Sequence, residues 1–170
     1  MKIYVTGVSG VGKSTLIEEL KRRGITAFDL DAVKGLCHWK NKETGKKVNR
    51  TEGVGKDWLE AHDWVCDIKK LKKLLERKNK IVLAGVTSNQ KDFLNLFDKI
   101  VLLRCKEKVF LKRLTERENN DFGRTKSEQK HILSWYKSFE TEMLERNAFP
   151  LSSEELVSEI AEKIIKKLNF

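Results

Sequence analysis

A glycine, four free positions, a second glycine, then a lysine and a hydroxyl: this spacing runs from Gly7 to Ser14 within VTGVSGVGKST. The glycines let the backbone curl so that successive amide N–H groups face inward as an anion nest, and a helix starting where the loop ends adds its positive dipole end. Lys13 is long enough to reach β- and γ-phosphates, Ser14 offers a hydroxyl to Mg²⁺, and Thr15 stands near the α-phosphate. Gly7, Val8, Ser9, Gly10, Val11, Gly12, Lys13, Ser14 and Thr15 are therefore the expected cradle of a nucleoside triphosphate. The apolar run before the loop and the amphipathic run after it supply the strand and helix that this Walker A pattern requires. A glycine turn without a ligand is the alternative.

Two further clusters carry chemistry. Asp29 and Asp31 stand in FDLD at the end of an apolar run; alternate residues of a strand share a face, so both carboxylates converge beside the loop. The alternative is that they cap the next helix. RLTERENNDFGRT supplies Arg113, Arg117 and Arg124, the first two spaced to share a helix face. Phosphoryl transfer depends on positioning and charge neutralisation, which planar guanidinium groups provide. The alternative is a solvated helix face paired with Glu116 and Glu118. His38, His62 and His131 share no metal-ligand spacing and read as structural. Cys37, Cys66 and Cys105 are odd in number and far apart in sequence, so they read as reduced thiols of a cytoplasmic protein.

These groups need a scaffold. The chain's 170 residues suffice for one buried core. No apolar run approaches the roughly 18 residues of a membrane span, and MKIYVTGV reads as a core strand and not a signal peptide. A net charge of +10 favours anionic partners without naming one. Short apolar runs, at Ile3 to Val8, Ile25 to Leu30, Lys80 to Val86, Lys99 to Cys105 and Ala148 to Leu151, alternate with helical patterns. That alternation predicts an α/β fold, a parallel five-stranded sheet between two helical layers. Helices are expected over KSTLIEELKRR, Asp63 to Arg77, Ser88 to Phe97 and Lys106 to Glu118. Capping boxes at Thr125 to Glu128 and Ser152 to Glu155 announce two more. Ile132, Trp135, Tyr136, Phe139 and Met143 form one apolar stripe, and Leu156, Ile160, Ile164 and Leu168 another, both read as core. The polar segments from Asp31 to about His62 and from Glu118 to Arg124 fit no simple crossover; both fall beside the carboxyl ends of strands, where ligands of open α/β sheets bind.

Elimination narrows the class. The two Asn-Lys pairs, NKET and NKIV, lack the aspartate of a guanine reader. An AAA-type or helicase motor needs more chain and an acidic third strand, whereas KIVLAGV ends in Ala84-Gly85. A small phosphotransferase remains. On the loop GVSGVGKST, FDLD and IVLAGV, the chain resembles the nucleoside/nucleotide kinase-like P-loop superfamily of adenylate, shikimate and gluconate kinases. The resemblance implies one domain over residues 1–170, sheet order 2-3-1-4-5, a mobile acceptor-binding insertion at about 31–78 and an arginine-bearing lid at about 117–125. It implies that one aspartate holds Mg²⁺ through water and the other positions or deprotonates the acceptor hydroxyl. Asp29 is assigned to metal with Ser14, and Asp31 to the acceptor, the roles being exchangeable. Arg117 and Arg124 are assigned to the phosphoryl group and Arg113 to adenine, which would rest near NAFPLSS. ATP is the default donor; GTP stays open. Lys13, Asp31, Arg117 and Arg124 form the expected catalytic set.

The acceptor side is less defined. Residues 31–80 hold 14 Lys and Arg against 8 Asp and Glu, together with Trp39, Trp58 and Trp64. Charge plus flat surfaces suits a ring-bearing, anionic or polar small molecule, with Arg50 as a phosphate or carboxylate reader. The alternative is a small helical lobe packed by the tryptophans. In GVTSNQ, no arginine follows where adenylate kinases place one; Ser88, Asn89 and Gln90 either bond a polar acceptor or, for Asn89, start a helix. The expected function is ATP- and Mg²⁺-dependent phosphoryl transfer to a nucleoside, nucleotide or related metabolite, by a monomer or homodimer without a membrane partner. A nucleic-acid-binding polynucleotide-end kinase and a non-catalytic nucleotide-dependent regulator are the alternatives.

Overall fold

A computed structural model describes residues 1–118 and 120–167. Asn119 of the 118–124 segment and residues 168–170, among them the Leu168 assigned to the last stripe, lie outside the described residues. Five strands form a parallel sheet: β1 (Lys2–Thr6), β2 (Ala27–Asp29), β6 (Ile81–Ala84), β7 (Lys99–Arg104) and β8 (Phe149–Ser152). Their spatial order is β2-β6-β1-β7-β8, which is 2-3-1-4-5 counted within this sheet. Each expected strand is present; four are shorter by a residue or more than the apolar run that announced them, and β8 keeps its length but starts one residue later.

Both faces of the sheet are covered, as parallel sheets require. Ile3, Val5, Val82, Ala84, Val101 and Leu103 point to one face, where they meet Leu16, Ile17 and Leu20 of α1 (Lys13–Arg22), Phe110 and Leu114 of α4 (Glu107–Glu116), and Ile160 and Ile164 of α6 (Val157–Lys167). The intervening residues Tyr4, Ile81, Leu83 and Leu102 point to the other, against Leu71 and Leu75 of α3 (Ile68–Glu76), Phe93, Phe97 and Met143. The period of two along each strand divides one apolar run between two cores. The longest helix, α5 (Lys126–Glu145), starts at the expected capping box: Thr125 accepts from the Glu128 amide and the Glu128 carboxylate accepts from the Thr125 amide.

Three expectations and one alternative, the helical lobe, fail, each for a physical reason. The helix predicted over Asp63 to Arg77 begins at Ile68, because His62–Cys66 is a strand, β5. The insertion is a β-lobe and not a helical one: β5 pairs antiparallel with β3 (Cys37–Asn41), which pairs with β4 (Lys47–Val48), and only α2 (Lys56–Ala61) is helical between them. Trp39 and Trp64 are register partners with ring centroids 5.5 Å apart, a cross-strand aromatic pair of the kind that stabilises sheets. Over Ser88 to Phe97 there are two 3-10 turns, Gln90–Asp92 and Leu94–Leu96, instead of a helix. The second capping box is not formed, since Ser152 ends β8 and α6 starts only at Val157.

Cys37 and Cys66, distant in sequence, are also register partners of β3 and β5, both as free thiols. The neighbouring Cys66 thiol and then burial push the Cys37 thiol up, so it stays protonated.

Asn89 stands at the N-cap of the 3-10 turn Gln90–Asp92 but does not cap it with its side chain. Its side-chain amide accepts from the Cys66 N–H and donates to the Cys66 carbonyl, both at 2.9 Å, and so stands in for a neighbouring strand at the edge of β5. The Ser88 amide bonds the Trp64 carbonyl one step along. This corner anchors the lobe to the main sheet. Asn89→Ala is expected to lower stability by about 1–3 kcal/mol, the cost of leaving such groups unpaired; urea unfolding of the two proteins measures it.

Candidate active site

Backbone geometry comes first. Between β1 and α1 the chain passes hard against β7 at Gly7, where an added Cβ would lie 2.3 Å from the Leu103 carbonyl oxygen, and turns at Ser9 and Gly10. Gly10, a free position in the motif, is equally constrained: its φ is +82° and a Cβ would meet the Phe110 carbonyl oxygen at 2.7 Å. Both positions exclude side chains sterically. Gly12 stands at the N-cap of α1 and no side chain caps that helix, so its first amides are left for an anion. Val8 and Val11 turn inward into the core and hold the loop down.

The charged groups gather at this loop. The Lys13 ammonium donates back to the Gly7 and Val8 carbonyls at 2.7 and 3.0 Å. Burial lowers its pKa to about 8, against the pull of the Asp29 and Asp31 carboxylates and with the help of Arg117. The Ser14 hydroxyl donates to the Asp29 carboxylate at 2.6 Å. The two groups assigned to metal therefore adjoin, and an oxygen-only pair beside a phosphate nest fits Mg²⁺, which keeps most of its ligands as water and phosphate.

Asp31 is not the second residue of a strand face. It lies in a 3-10 turn, Leu30–Ala32, whose N-cap is Asp29: the Asp29 carboxylate accepts the Asp31 amide at 3.1 Å. A turn and not strand alternation thus brings the carboxylates together, and Asp29 caps while it faces Ser14. The indole N–H of Trp64 donates to the Asp31 carboxylate at 3.0 Å. Asp31 is open to solvent on its pocket side, yet the surrounding protein and then the Asp29 charge raise its pKa, with Lys13, Trp64 and Arg117 opposing.

The arginines separate. Arg113 donates to the Val11 carbonyl and to both the hydroxyl and the carbonyl of Ser153, joining the loop to the turn after β8. The residues that would meet adenine are thus next to it, but its bonded nitrogens are occupied within the protein. Arg117 is the C-cap of α4 with extended backbone and leaves the face of Arg113. It donates to the Phe122 carbonyl, its Nε is buried without a partner, and it lies close enough to Lys13 and Asp31 to act on both. Burial first, then the Arg124 charge, lowers its own pKa. Arg124 is exposed and donates twice to the Arg117 carbonyl, at 2.6 and 3.1 Å.

A cavity of about 490 Å³ opens from Ser9 and Asp31 and runs between the β-lobe and α5. Trp39 and Trp64 form one wall and Trp135 and Phe139 another, with Phe122, Thr87 and Gln90 also lining it. The sequence pattern places Trp135 and Phe139 in the core. The stripe on α5 in fact divides, Ile132, Tyr136 and Met143 being buried while Trp135 and Phe139 are half-buried. Its breadth, five apolar positions including three aromatics, was the available signal. Gln90 is buried, and its carbonyl accepts from Thr6 at 3.1 Å. Arg50, expected to read a phosphate, is committed instead to the carboxylates of Asp121 and Glu128. His62 stacks on Trp58 at 4.1 Å and bonds its carbonyl, a structural role as expected.

The parallel sheet, the glycine loop and the carboxylates at the end of β2 define a P-loop protein of the small-kinase fold. The chain belongs to the AAA domain family, whose profile matches residues 3–134; the match is to the domain, and β6, IVLA, still lacks the acidic residue of an AAA-type motor. It is 31% identical over 123 residues to a putative adenylate kinase of Methanocaldococcus jannaschii, a match covering 69% of this chain and 59% of that protein's length. Shikimate kinase from Acinetobacter baumannii in complex with shikimate superposes with a TM-score of 0.62 at 16% identity, over 99% of this chain and 92% of that one. Deoxyadenosine kinase from M. mycoides with bound dATP gives 0.61 at 21% identity, over the whole of both chains. Among the described residues no helix is long and apolar enough to cross a membrane.

Lys13 yields a test. A triphosphate favours the charged ammonium, so binding above pH 8 must recruit a proton. Mg·ATP affinity is expected to fall as pH rises from about 8, by up to tenfold per unit. Calorimetry at pH 8.5 in buffers of different ionisation enthalpy should show net proton uptake, abolished in Lys13→Met.

Proposed function

We propose that the chain transfers the γ-phosphoryl group of ATP to a hydroxyl of an uncharged, ring-bearing acceptor, of which a nucleoside fits best. The observation that carries this reading is the position of Asp31. Its carboxylate stands where the aromatic cavity opens onto the phosphate loop, held by the Trp64 indole and beside the Ser14–Asp29 pair. A hydroxyl reaching out of the cavity meets a base and a phosphate at one point.

The loop amides and Lys13 hold the β- and γ-phosphates. Ser14 and Asp29 would hold Mg²⁺, which when bound would neutralise phosphate charge. Asp31 takes the proton of the acceptor hydroxyl, whose oxygen bonds to the γ-phosphorus while the bond from that phosphorus to the β–γ bridging oxygen breaks and ADP leaves. A carboxylate whose pKa is raised is a better base for this step. Arg117, close to Asp31 and Lys13, balances charge on the transferring group, and Arg124 supports it through the Arg117 carbonyl.

The acceptor class follows from walls and charges. Two aromatic pairs facing one cavity suit a planar ring. Of the three lysines and arginines lining the cavity, two are committed, Arg50 to two carboxylates and Lys42 to the Glu60 carbonyl at 2.7 Å with Asp63 at 3.7 Å, which leaves Lys91. With Asp31 and Glu142 also lining it, the cavity is poorly suited to a second phosphate. The neighbouring fold named deoxyadenosine kinase is consistent with a nucleoside, and the putative adenylate kinase relative with a nucleotide reaction.

With saturating Mg·ATP, transfer is expected to nucleosides in preference to their 5′-monophosphates, sugars and cyclic acids. Transfer to none of them, or best to a monophosphate, contradicts the reading. Asp31→Asn is expected to lower kcat by about 10²–10⁴-fold, the usual contribution of a general base, while ATP affinity holds. Unchanged turnover removes Asp31 from the role of base.

A further inference from the structure

Arg50 stands in the loop after β4, on the acceptor side, yet its partners belong to the segment that carries Arg117. Its guanidinium donates to the Asp121 carboxylate and, at 3.0 Å, to that of Glu128. It also lies over the Phe122 ring, 5.6 Å from the centroid. The side chains of Arg50 and Glu128 are 12% and 1% exposed, so this clasp is sheltered from water and salt. A sheltered charge holds its partners firmly, because parting them leaves it uncompensated.

The clasp fixes Phe122, and Phe122 fixes two other things. The other Glu128 oxygen accepts the Gly123 amide at 3.0 Å, so Phe122 lies between Asp121, whose side chain Arg50 bonds, and Gly123, whose amide bonds the second partner of Arg50. The Phe122 carbonyl accepts from Arg117, and the carbonyl of Arg117 in turn receives Arg124. The Phe122 ring packs 6.0 Å from Trp39 and lines the cavity. One residue therefore bounds the acceptor cavity with its ring and bonds the proposed phosphoryl clamp with its backbone.

We propose that Arg50 is a positioning residue for phosphoryl transfer: through Asp121, Glu128 and Phe122 it sets the place of Arg117 and couples the acceptor wall to the clamp. The proposal rests on the phosphotransferase reading and deepens it. Arg50 borders the acceptor cavity, but its guanidinium is taken up by Asp121 and Glu128, so its effect on transfer is exerted through Arg117.

A double-mutant cycle tests this. Arg50→Lys keeps the charge, but a single ammonium cannot fork across two carboxylates; Asp121→Asn weakens the same clasp from a more exposed position and stands in if the first variant folds poorly. Each is made in the native chain and with Arg117→Ala, with thermal unfolding recorded. Expected is a loss in kcat of about tenfold to 10²-fold, the cost of displacing a positioned group by roughly an ångström. The KM for ATP should hold, and no further loss should occur when Arg117 is already Ala. An equal loss in both backgrounds, or a raised acceptor KM with kcat unchanged, overturns the proposal. Slow hydrolysis of ATP by water is read in parallel and needs no acceptor. If the native chain phosphorylates none of the acceptors, the phosphotransferase reading fails while the cycle on hydrolysis still decides Arg50: loss confined to the Arg117 background supports it, equal loss rejects it.

Discussion

The close packing of the loop at Gly7 against the Leu103 carbonyl, with no space for a side chain, is the constraint on which the site depends. It lets β1 pass into α1 without covering the first amides of the helix, and it seats the loop directly on β7. The central place of β1 in the sheet then does the rest. With β6 between β1 and β2, the parallel arrangement brings the ends of β1 and β2 to one edge, so Ser14 and Asp29 meet at 2.6 Å. The proposed donor and acceptor sites adjoin because those strand ends do.

The acceptor side is built by a different principle. A three-stranded antiparallel lobe leaves the main sheet after β2 and returns before α3, anchored by Asn89 and by the Ser88–Trp64 bond. Its stabilising contacts are cross-strand and aromatic: Trp39 touches Trp58, Trp64 and Phe122. Tryptophan here both packs and works, since the Trp64 indole that pairs with Trp39 also holds Asp31 by its N–H.

What could be read from the sequence was what local pattern dictates. Parallel strands buried on both faces are nearly continuous apolar runs, so all five were legible, as were the glycine loop and the Thr125 capping box. The lobe was not. CHWKN and HDWVC are short and mixed in polarity, and each is a strand because of the other; strand preference is set by such partners more than by the residues themselves. The periodic stretch Ile68 to Leu75 was accordingly extended backward over Trp64 and Val65 as helix. The Arg50 clasp was equally hidden, its carboxylates lying 71 and 78 residues away. Asp29 and Asp31 were found through an incorrect geometry, strand alternation, where a 3-10 turn achieves the convergence.

The most direct measurement is a crystal structure with Mg²⁺, a non-hydrolysable ATP analogue and a nucleoside. The account predicts the triphosphate along Gly7 to Thr15, the base of the nucleoside between the Trp39–Trp64 and Trp135–Phe139 walls, and one of its hydroxyls within hydrogen-bond distance of Asp31. A nucleoside bound outside that cavity, or bound within it with every hydroxyl turned away from Asp31, would contradict it.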